Sequence, residues 1–253
     1  MKIAAQLYSV RDFIKTPDEI YATLKRLKEI GYDVVQVSGV GQIEAKLLKS
    51  YIDELGIEIC GTHVPLDRIV NDTEALIEEH KILNCPNIGL GAPPDDMRNE
   101  DGYKKLAEII AKPAQLISDS GLKFTYHNHH FEFKKFGNIT GMDIMLENTD
   151  PDTFKLLPDV YWLQVAGIVP TSFLRKYANR IDFVHYKDML WTDDGQKITE
   201  VGNGNIDWMY ITEVCREIGV KYIAVEQDDN FMDGNSINSL EASCKYLQTI
   251  WNT

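Results

Sequence analysis

The sequence is poor in paired thiols, in long apolar runs and in positive charge. Its four cysteines, Cys60, Cys85, Cys215 and Cys244, are scattered, and no two form a Cys-x-x-Cys pair. That argues against a thiolate zinc knot or a disulfide framework and leaves small buried hydrophobes, as expected in a reducing compartment such as the cytoplasm. No apolar run approaches the ~20 residues that cross a bilayer, so no membrane span is expected. The opening MKIAAQLYSVRD has no long apolar stretch and reads as lacking a signal peptide. Against 39 acidic residues there are 26 basic ones, a net charge of −13, and no Lys/Arg cluster stands out. A phosphate backbone would be repelled, so nucleic acid is a poor partner. No glycine-rich phosphate loop follows any strand candidate, and no low-complexity linker divides the chain.

What is present is an alternation of short β-branched or aromatic runs with longer segments of helical period. The strand candidates are Ile3–Leu7, Val34–Val37, Ile57–Val64, Asn87–Leu90, Lys123–His129, Lys155–Leu157, Asp182–Tyr186 and Tyr222–Gln227. A helical segment follows each. The first starts at Thr16-Pro17-Asp18-Glu19, a capping box with proline at the first helical position, shows an apolar face at Ile20, Leu24, Leu27 and Ile30, and ends at Gly31. The others are expected near Ile43–Leu55, Thr73–Leu83, Tyr103–Ser120 (bent or divided at Pro113), Met142–Asn148, Ser172–Ala178, Trp208–Ile218 and Ile237–Trp251. WTDDGQKITEVGNGN reads as a loop. Strands that alternate with helices imply a parallel sheet, and eight such units in 253 residues imply one domain over residues 1–253, a (β/α)8 TIM barrel. The last helix, with Ile237, Leu240, Cys244, Leu247 and Trp251 at helical spacing, is expected to pack on its own barrel, which leaves a homo-oligomer open.

In such barrels the chemistry lies at the C-terminal strand ends. Of six histidines, His63, His127, His129, His130 and His185 fall there; His80 falls in a helix and reads as a surface residue. Strand alternation puts His127 and His129 on one face, His185 with Lys187, and Glu226 with Asp228. Ile223, Ala224 and Val225 set Glu226 deep in an apolar strand, where a carboxylate needs a partner or a metal. Asp159 follows the apolar end of the sixth strand. The plain alternatives are a Lys187–Glu226 salt bridge, a turn role for Asp159 after Pro158, and core packing for Tyr8 and Trp162. As an ensemble, Asp159, His185 and Glu226 can meet on the barrel axis and would suit Mn²⁺, Co²⁺, Zn²⁺ or Mg²⁺.

QLYSVRD, GTHVP, YHNHHFEF, DVYWLQVAG, RIDFVHYKD, GNGNIDW and AVEQD occur in that order over essentially the whole chain. Together they resemble the sugar phosphate isomerase/epimerase family with a xylose-isomerase-like barrel; DVYW, VHYKD and VEQD are the most specific. The resemblance implies a divalent metal held by Glu, Asp, His and a second Glu from the fifth to eighth strands. Asp159, His185 and Glu226 match the last three. Many relatives carry ENH where this chain has His127-Asn128-His129. His127 therefore stands in for the first metal ligand, with Glu132, five residues on, as the alternative. The usual two-glutamate proton shuttle is incomplete at that position, and an added imidazole shifts metal preference toward Zn²⁺, Fe²⁺ or Co²⁺. Gln36 and Val165 also depart from the pattern, where relatives often carry Glu and His.

The resemblance implies a sugar isomerase or epimerase acting by metal-assisted proton transfer next to a carbonyl, through an enediolate. Glu226, His127, His129 and Glu132 are the candidates for moving the proton. Gln6, Tyr8, His63, Trp162, Gln164 and Lys187 are placed to line a pocket for a small sugar or polyol, aromatic rings against its faces and polar groups on its hydroxyls. A phosphate on that sugar would call for Lys187 or Arg11. A dehydratase or lyase acting on a keto-inositol or keto-glycoside uses the same proton abstraction and is the second reading. A non-catalytic sugar-binding barrel is the third. Abasic-site endonucleases share the barrel, but the net charge of −13 argues against that activity.

Overall fold

A computed structural model describes residues 1–251. Each short apolar run pairs with the strands on either side of it, giving β1 (Lys2–Gln6), β2 (Val34–Val37), β3 (Glu58–His63), β4 (Asn87–Leu90), β5 (Lys123–His127), β6 (Phe154–Leu157), β7 (Phe183–Tyr186) and β8 (Tyr222–Val225). All pair in parallel, in the spatial order β6-β5-β4-β3-β2-β1-β8-β7. The seam between β6 and β7 is closed by two bridges, Leu156 with Ile181 and Asp159 with His185. The result is a single-domain (β/α)8 barrel.

Alternation along the strands separates two apolar layers. Ala4, Val34, Cys60, Leu157, Phe183 and Ala224 point inward and form one small cluster; their strand neighbours pack outward against the helices in a much larger one. Phe183 fills the barrel interior: a Cβ on Gly61 would stand 3.0 Å from its ring. Truncating this fully buried phenylalanine should cost about 3–5 kcal/mol.

The helix Pro17–Ile30 has the expected ends. Glu19 N–H donates to Thr16 Oγ1 at 3.3 Å, Thr16 N–H donates to Glu19 Oε2 at 2.9 Å, and Gly31 closes it with φ +119°. Other expectations are corrected. The helix Glu100–Asp119 is one element with Pro113 inside it, so of the two expectations for Pro113 the division does not occur. The first part of the segment read as a loop belongs to an antiparallel hairpin, Asp188–Thr192 with Gly195–Thr199. Gly195 takes the left-handed φ of +102° that ends the two-residue turn. His80 is buried, with Nε2 2.8 Å from Thr62 Oγ1 and Nδ1 2.7 Å from Leu76 O, because it shares the inner face of Thr73–Leu83 with Leu76 and Leu83. The fifth and eighth strands stop at His127 and Val225, before the polar residues that follow.

Candidate active site

The barrel seam and the candidate site coincide. His127 is the last residue of β5, Asp159 lies two residues past β6, His185 is inside β7, and Glu226 follows β8. All four are buried, and one ligand atom from each lies within 4.8 Å of the others. Asp159 caps the short helix Val160–Val165: its Oδ1 accepts from Trp162 N–H at 3.1 Å, which leaves Oδ2 facing inward. Its own N–H donates to Asn128 Oδ1 at 3.1 Å.

The outer partners fix the imidazoles. His127 Nδ1 is 3.0 Å from the Gly91 carbonyl and must donate to it, which leaves Nε2 facing the cluster, 3.4 Å from Asp159 Oδ2. His185 Nε2 is 2.6 Å from Gln36 Oε1, and its Nδ1 is 3.0 Å from Glu226 Oε2 and 3.8 Å from Asp159 Oδ2. One nitrogen of each imidazole and one oxygen of each carboxylate thus converge on the same point. Two imidazoles and two carboxylates so arranged, each with an outer hydrogen bond, fit a borderline divalent cation such as Zn²⁺, Co²⁺, Fe²⁺ or Mn²⁺.

Burial alone would lower the His185 pKa, but Glu226 and Asp159 outweigh it and raise it. Burial alone would raise Asp159 and Glu226; Lys187, with the neighbouring histidines, holds both well below the usual carboxylate range. Burial would lower Lys187, yet Glu226, Asp159 and Asp228 keep it firmly protonated. The Lys187 ammonium lies 2.9 Å from Glu226 Oε2, 2.8 Å from Asp228 Oδ2 and 3.4 Å from Asp159 Oδ2. The salt bridge weighed as the plain alternative for Glu226 is therefore present, on the same oxygen that faces His185.

Above this cluster opens a cavity of about 540 Å³. His127, His129, Lys187, Glu226 and Asp228 line one part of it; Tyr8, Arg11, Ser38 and His63 line another. Burial, with His127 beside each, holds the His63 and His129 imidazoles far below their usual pKa, so both are neutral. His63 Nε2, His129 Nδ1, Gln6 Nε2 and Trp162 Nε1 are buried without a hydrogen-bond partner among the described residues. Unpartnered buried donors and acceptors are costly, and those of His63 and His129, which line the cavity, point to a polar ligand, whereas Gln6 and Trp162 lie behind its lining. Gln6 is fully buried, and the Trp162 ring packs 5.5 Å from His129 and 5.3 Å from the Lys187 ammonium. Gln164 is corrected: the segment after Asp159 is helical and turns Gln164 into solvent, away from the cavity lining.

Glu132 is also corrected as an alternative metal ligand. The turn Phe131–Phe133 folds it back under the loop, where it accepts from Tyr126 Oη at 2.8 Å and from His129 N–H at 2.8 Å. Burial lifts its pKa to about 7 against those two hydrogen bonds. Sequence reasoning left Asp228, Gln36 and Asn128 out of the site, although strand alternation beside Glu226 marked Asp228. It also missed Asp188, whose carboxylate accepts from the N–H groups of Met189, Gly202, Gly204 and Ile206 and from Trp208 Nε1. That explains GNGNIDW: a Cβ on Gly204 would stand 2.3 Å from Asp188 Oδ1, so glycine is needed for the close approach.

The sequence profile of the xylose isomerase-like TIM barrel family matches residues 24–250. An inosose dehydratase from Clostridium beijerinckii is 36% identical over 167 residues, 59% of this chain and 55% of its own. One from Geobacillus kaustophilus is 23% identical over 199 residues, 69% of this chain and 62% of its own. The chain thus spans between half and two thirds of the length of these curated relatives. Among solved structures, a sugar phosphate isomerase/epimerase from Parabacteroides distasonis superposes with a TM-score of 0.83 at 24% identity, covering 98% of this chain and 93% of that one. An L-ribulose 3-epimerase does so with a TM-score of 0.75 at 15% identity, covering 99% and 94%. At these identities the structures speak to fold. The profile match over most of its length places this chain in the xylose isomerase-like TIM barrel family.

Proposed function

We propose that this chain is a divalent-cation-dependent enzyme that removes a proton next to the carbonyl of a small, unphosphorylated sugar or cyclic polyol. The observation that carries the reading is the buried cluster of His127, Asp159, His185 and Glu226 at the floor of the cavity, with one ligand atom of each within 4.8 Å of the others. A bound cation would polarise a carbonyl oxygen and offset the charge that develops on it as the proton leaves. The chain's own groups supply the rest. Glu226 lines the cavity and presents the carboxylate that can accept a proton from carbon. Lys187 donates to a developing oxygen charge. The free nitrogens of His63 and His129 meet hydroxyls, Tyr8 offers a ring face, and Trp162 packs behind His129 and Lys187.

The charge around the cavity favours a neutral substrate. Of the lining cations, Arg11 donates to the carbonyls of Tyr8 at 3.0 Å and Asp228 at 2.8 Å and stacks on Tyr8, while Lys187 is ringed by three carboxylates. Lys187 is thus already neutralised, and Arg11 alone, with two of its donors on backbone carbonyls, faces a cavity whose other charged groups are mostly carboxylates.

When the C–H bond breaks, the proton goes to Glu226 and the electron pair moves toward the carbonyl oxygen. Return of a proton to the other face, or to the neighbouring carbon, gives an epimer or an isomer. Loss of a β-hydroxyl as water gives a dehydrated product. The curated relatives named inosose dehydratase favour this second outcome as a reading of its own. Both begin with the same step. Ketoses and inososes incubated in D₂O with enzyme loaded with Mn²⁺, Co²⁺ or Zn²⁺ should lose the α-proton NMR signal, and Glu226→Gln should slow that exchange by about 10³-fold. Product mass then separates an isomer from a compound lighter by one water. Absence of exchange with every ketose and inosose, in protein shown to be loaded, would overturn the reading.

A further inference from the structure

Lys187 is the unusual member of this site. Its ammonium touches Asp159 Oδ2 and Glu226 Oε2, the same oxygens that face the imidazoles of His127 and His185. It also touches Asp228 Oδ2, a carboxylate outside the donor set that stands at the wetter side, 28% exposed against 2% for the lysine side chain. One ammonium is thus shared between two inner carboxylates and one outer one. The outer one is held in place by its backbone: Arg11 Nη2 donates to the Asp228 carbonyl at 2.8 Å, and the preceding Gln227 N–H donates to Ser9 Oγ at 3.0 Å.

We propose that Lys187 is the resident counter-cation of the site and Asp228 the station that receives its ammonium when a divalent cation takes Asp159 and Glu226. The inference rests on the reading of the four buried residues as a cation site. A divalent cation and an ammonium that draw on the same two oxygens repel each other at short range in a site with little water to screen them. The lysine's flexible four-carbon stem lets the head move while the backbone stays fixed in the barrel. Asp228 gives the displaced charge a partner, so it is not left buried and unpaired. Two residues that are not metal ligands thereby set metal affinity, and loading the site moves Lys187 toward the outer part of the cavity, where a substrate oxygen would meet it.

The test is Co²⁺ binding to chelator-stripped protein, followed by calorimetry and by the visible absorption of the bound ion. The proteins are wild type, Lys187→Met, Asp228→Asn and the double variant, each first checked for folding by circular dichroism. Lys187→Met should bind Co²⁺ at least tenfold tighter than wild type, and Asp228→Asn about tenfold weaker. In the Lys187→Met background, Asp228→Asn should change affinity by less than threefold, because the outer carboxylate acts mainly through the lysine. Equal effects of Asp228→Asn in both backgrounds would overturn the proposal, since the two charges would then act independently; so would Lys187→Met binding no tighter than wild type. If Lys187→Met does not fold, wild-type affinity in Asp228→Asn is the result that overturns it. Failure of all the folded proteins to bind Co²⁺ would instead remove the cation-site reading beneath it.

Discussion

The two ends of the barrel hold charge in opposite ways. At the N-terminal end, charges are paired one to one and stay partly wet. Lys2 meets Glu58, which also accepts from Tyr222 Oη, and Lys123 meets Asp182; these lysine and carboxylate side chains are between 24% and 60% exposed. At the C-terminal end, Asp159, Glu226 and Asp228 surround one ammonium beside two imidazoles, and nearly all of it is dry. The first arrangement is an ordinary fastening of strand starts, with each pair worth roughly 0–1 kcal/mol. The second is costly, because desolvated charges with a surplus of carboxylate are stable only when positive charge is supplied. A protein that needed only to fold would not gather these groups. The difference marks one end as structural and the other as chemical.

The sharpest way to break this contrast is through exchange rates in D₂O. Asp159→Ala and Glu226→Gln should each slow α-proton exchange by about 10³-fold, whereas Lys2→Met and Lys123→Met should change it by less than about twofold. Comparable losses at both ends would remove the distinction. Next in size is stability. Without added metal, Lys187→Met should lose about 3–5 kcal/mol in urea unfolding, because it strands buried carboxylates, and Co²⁺ should restore much of this. Lys2→Met should lose no more than ~1 kcal/mol and gain nothing from Co²⁺.

The pH dependence should differ in sign between two glutamates. Burial raises folded Glu132 to about 7, above its ordinary 4.5, so the stability linked to its protonated form is full below pH 4.5 and lost as pH rises through 7. Wild type should therefore lose roughly 3 kcal/mol relative to Glu132→Gln across that window in denaturation at stepped pH. A parallel pH profile would show that Glu132 does not titrate there. Burial works against Glu58 too, but Lys2 and Tyr222 win and hold it below 4.5. Its smaller contribution is present above pH 4.5 and fades as pH falls below it. The advantage of wild type over Glu58→Gln should shrink on acidification, opposite in direction to Glu132.

The same contrast explains what the sequence made legible. Strand starts and the barrel topology could be read because apolar runs record burial: the bounds Val34–Val37 and Asn87–Leu90 are those of β2 and β4. Strand ends at the mouth were overrun because side-chain alternation continues past the last paired residue, through Asn128 and His129 and through Glu226 and Gln227. Asp159, His185 and Glu226 were legible as polar residues set against apolar strands, and His127 through its place in YHNHHFEF. Asp159 as a helix cap was not, because Pro158 disguised it as a turn, and the misplacement of Gln164 followed from that. His80 was lost because one polar residue on an apolar helical face looks exposed until its two hydrogen-bond partners are known. Asp188 gathers four backbone N–H groups and an indole from residues 189–208, a convergence that spacing along the chain does not encode.

The most direct test of the central claim is the metal content of the purified protein, by elemental analysis, with wild type beside Asp159→Ala and Glu226→Ala. The account predicts about one divalent transition metal per chain in wild type, lost in both variants although they fold. Wild-type protein that stays free of metal after soaking in Mn²⁺, Co²⁺ and Zn²⁺, or variants that keep the full complement, would contradict it.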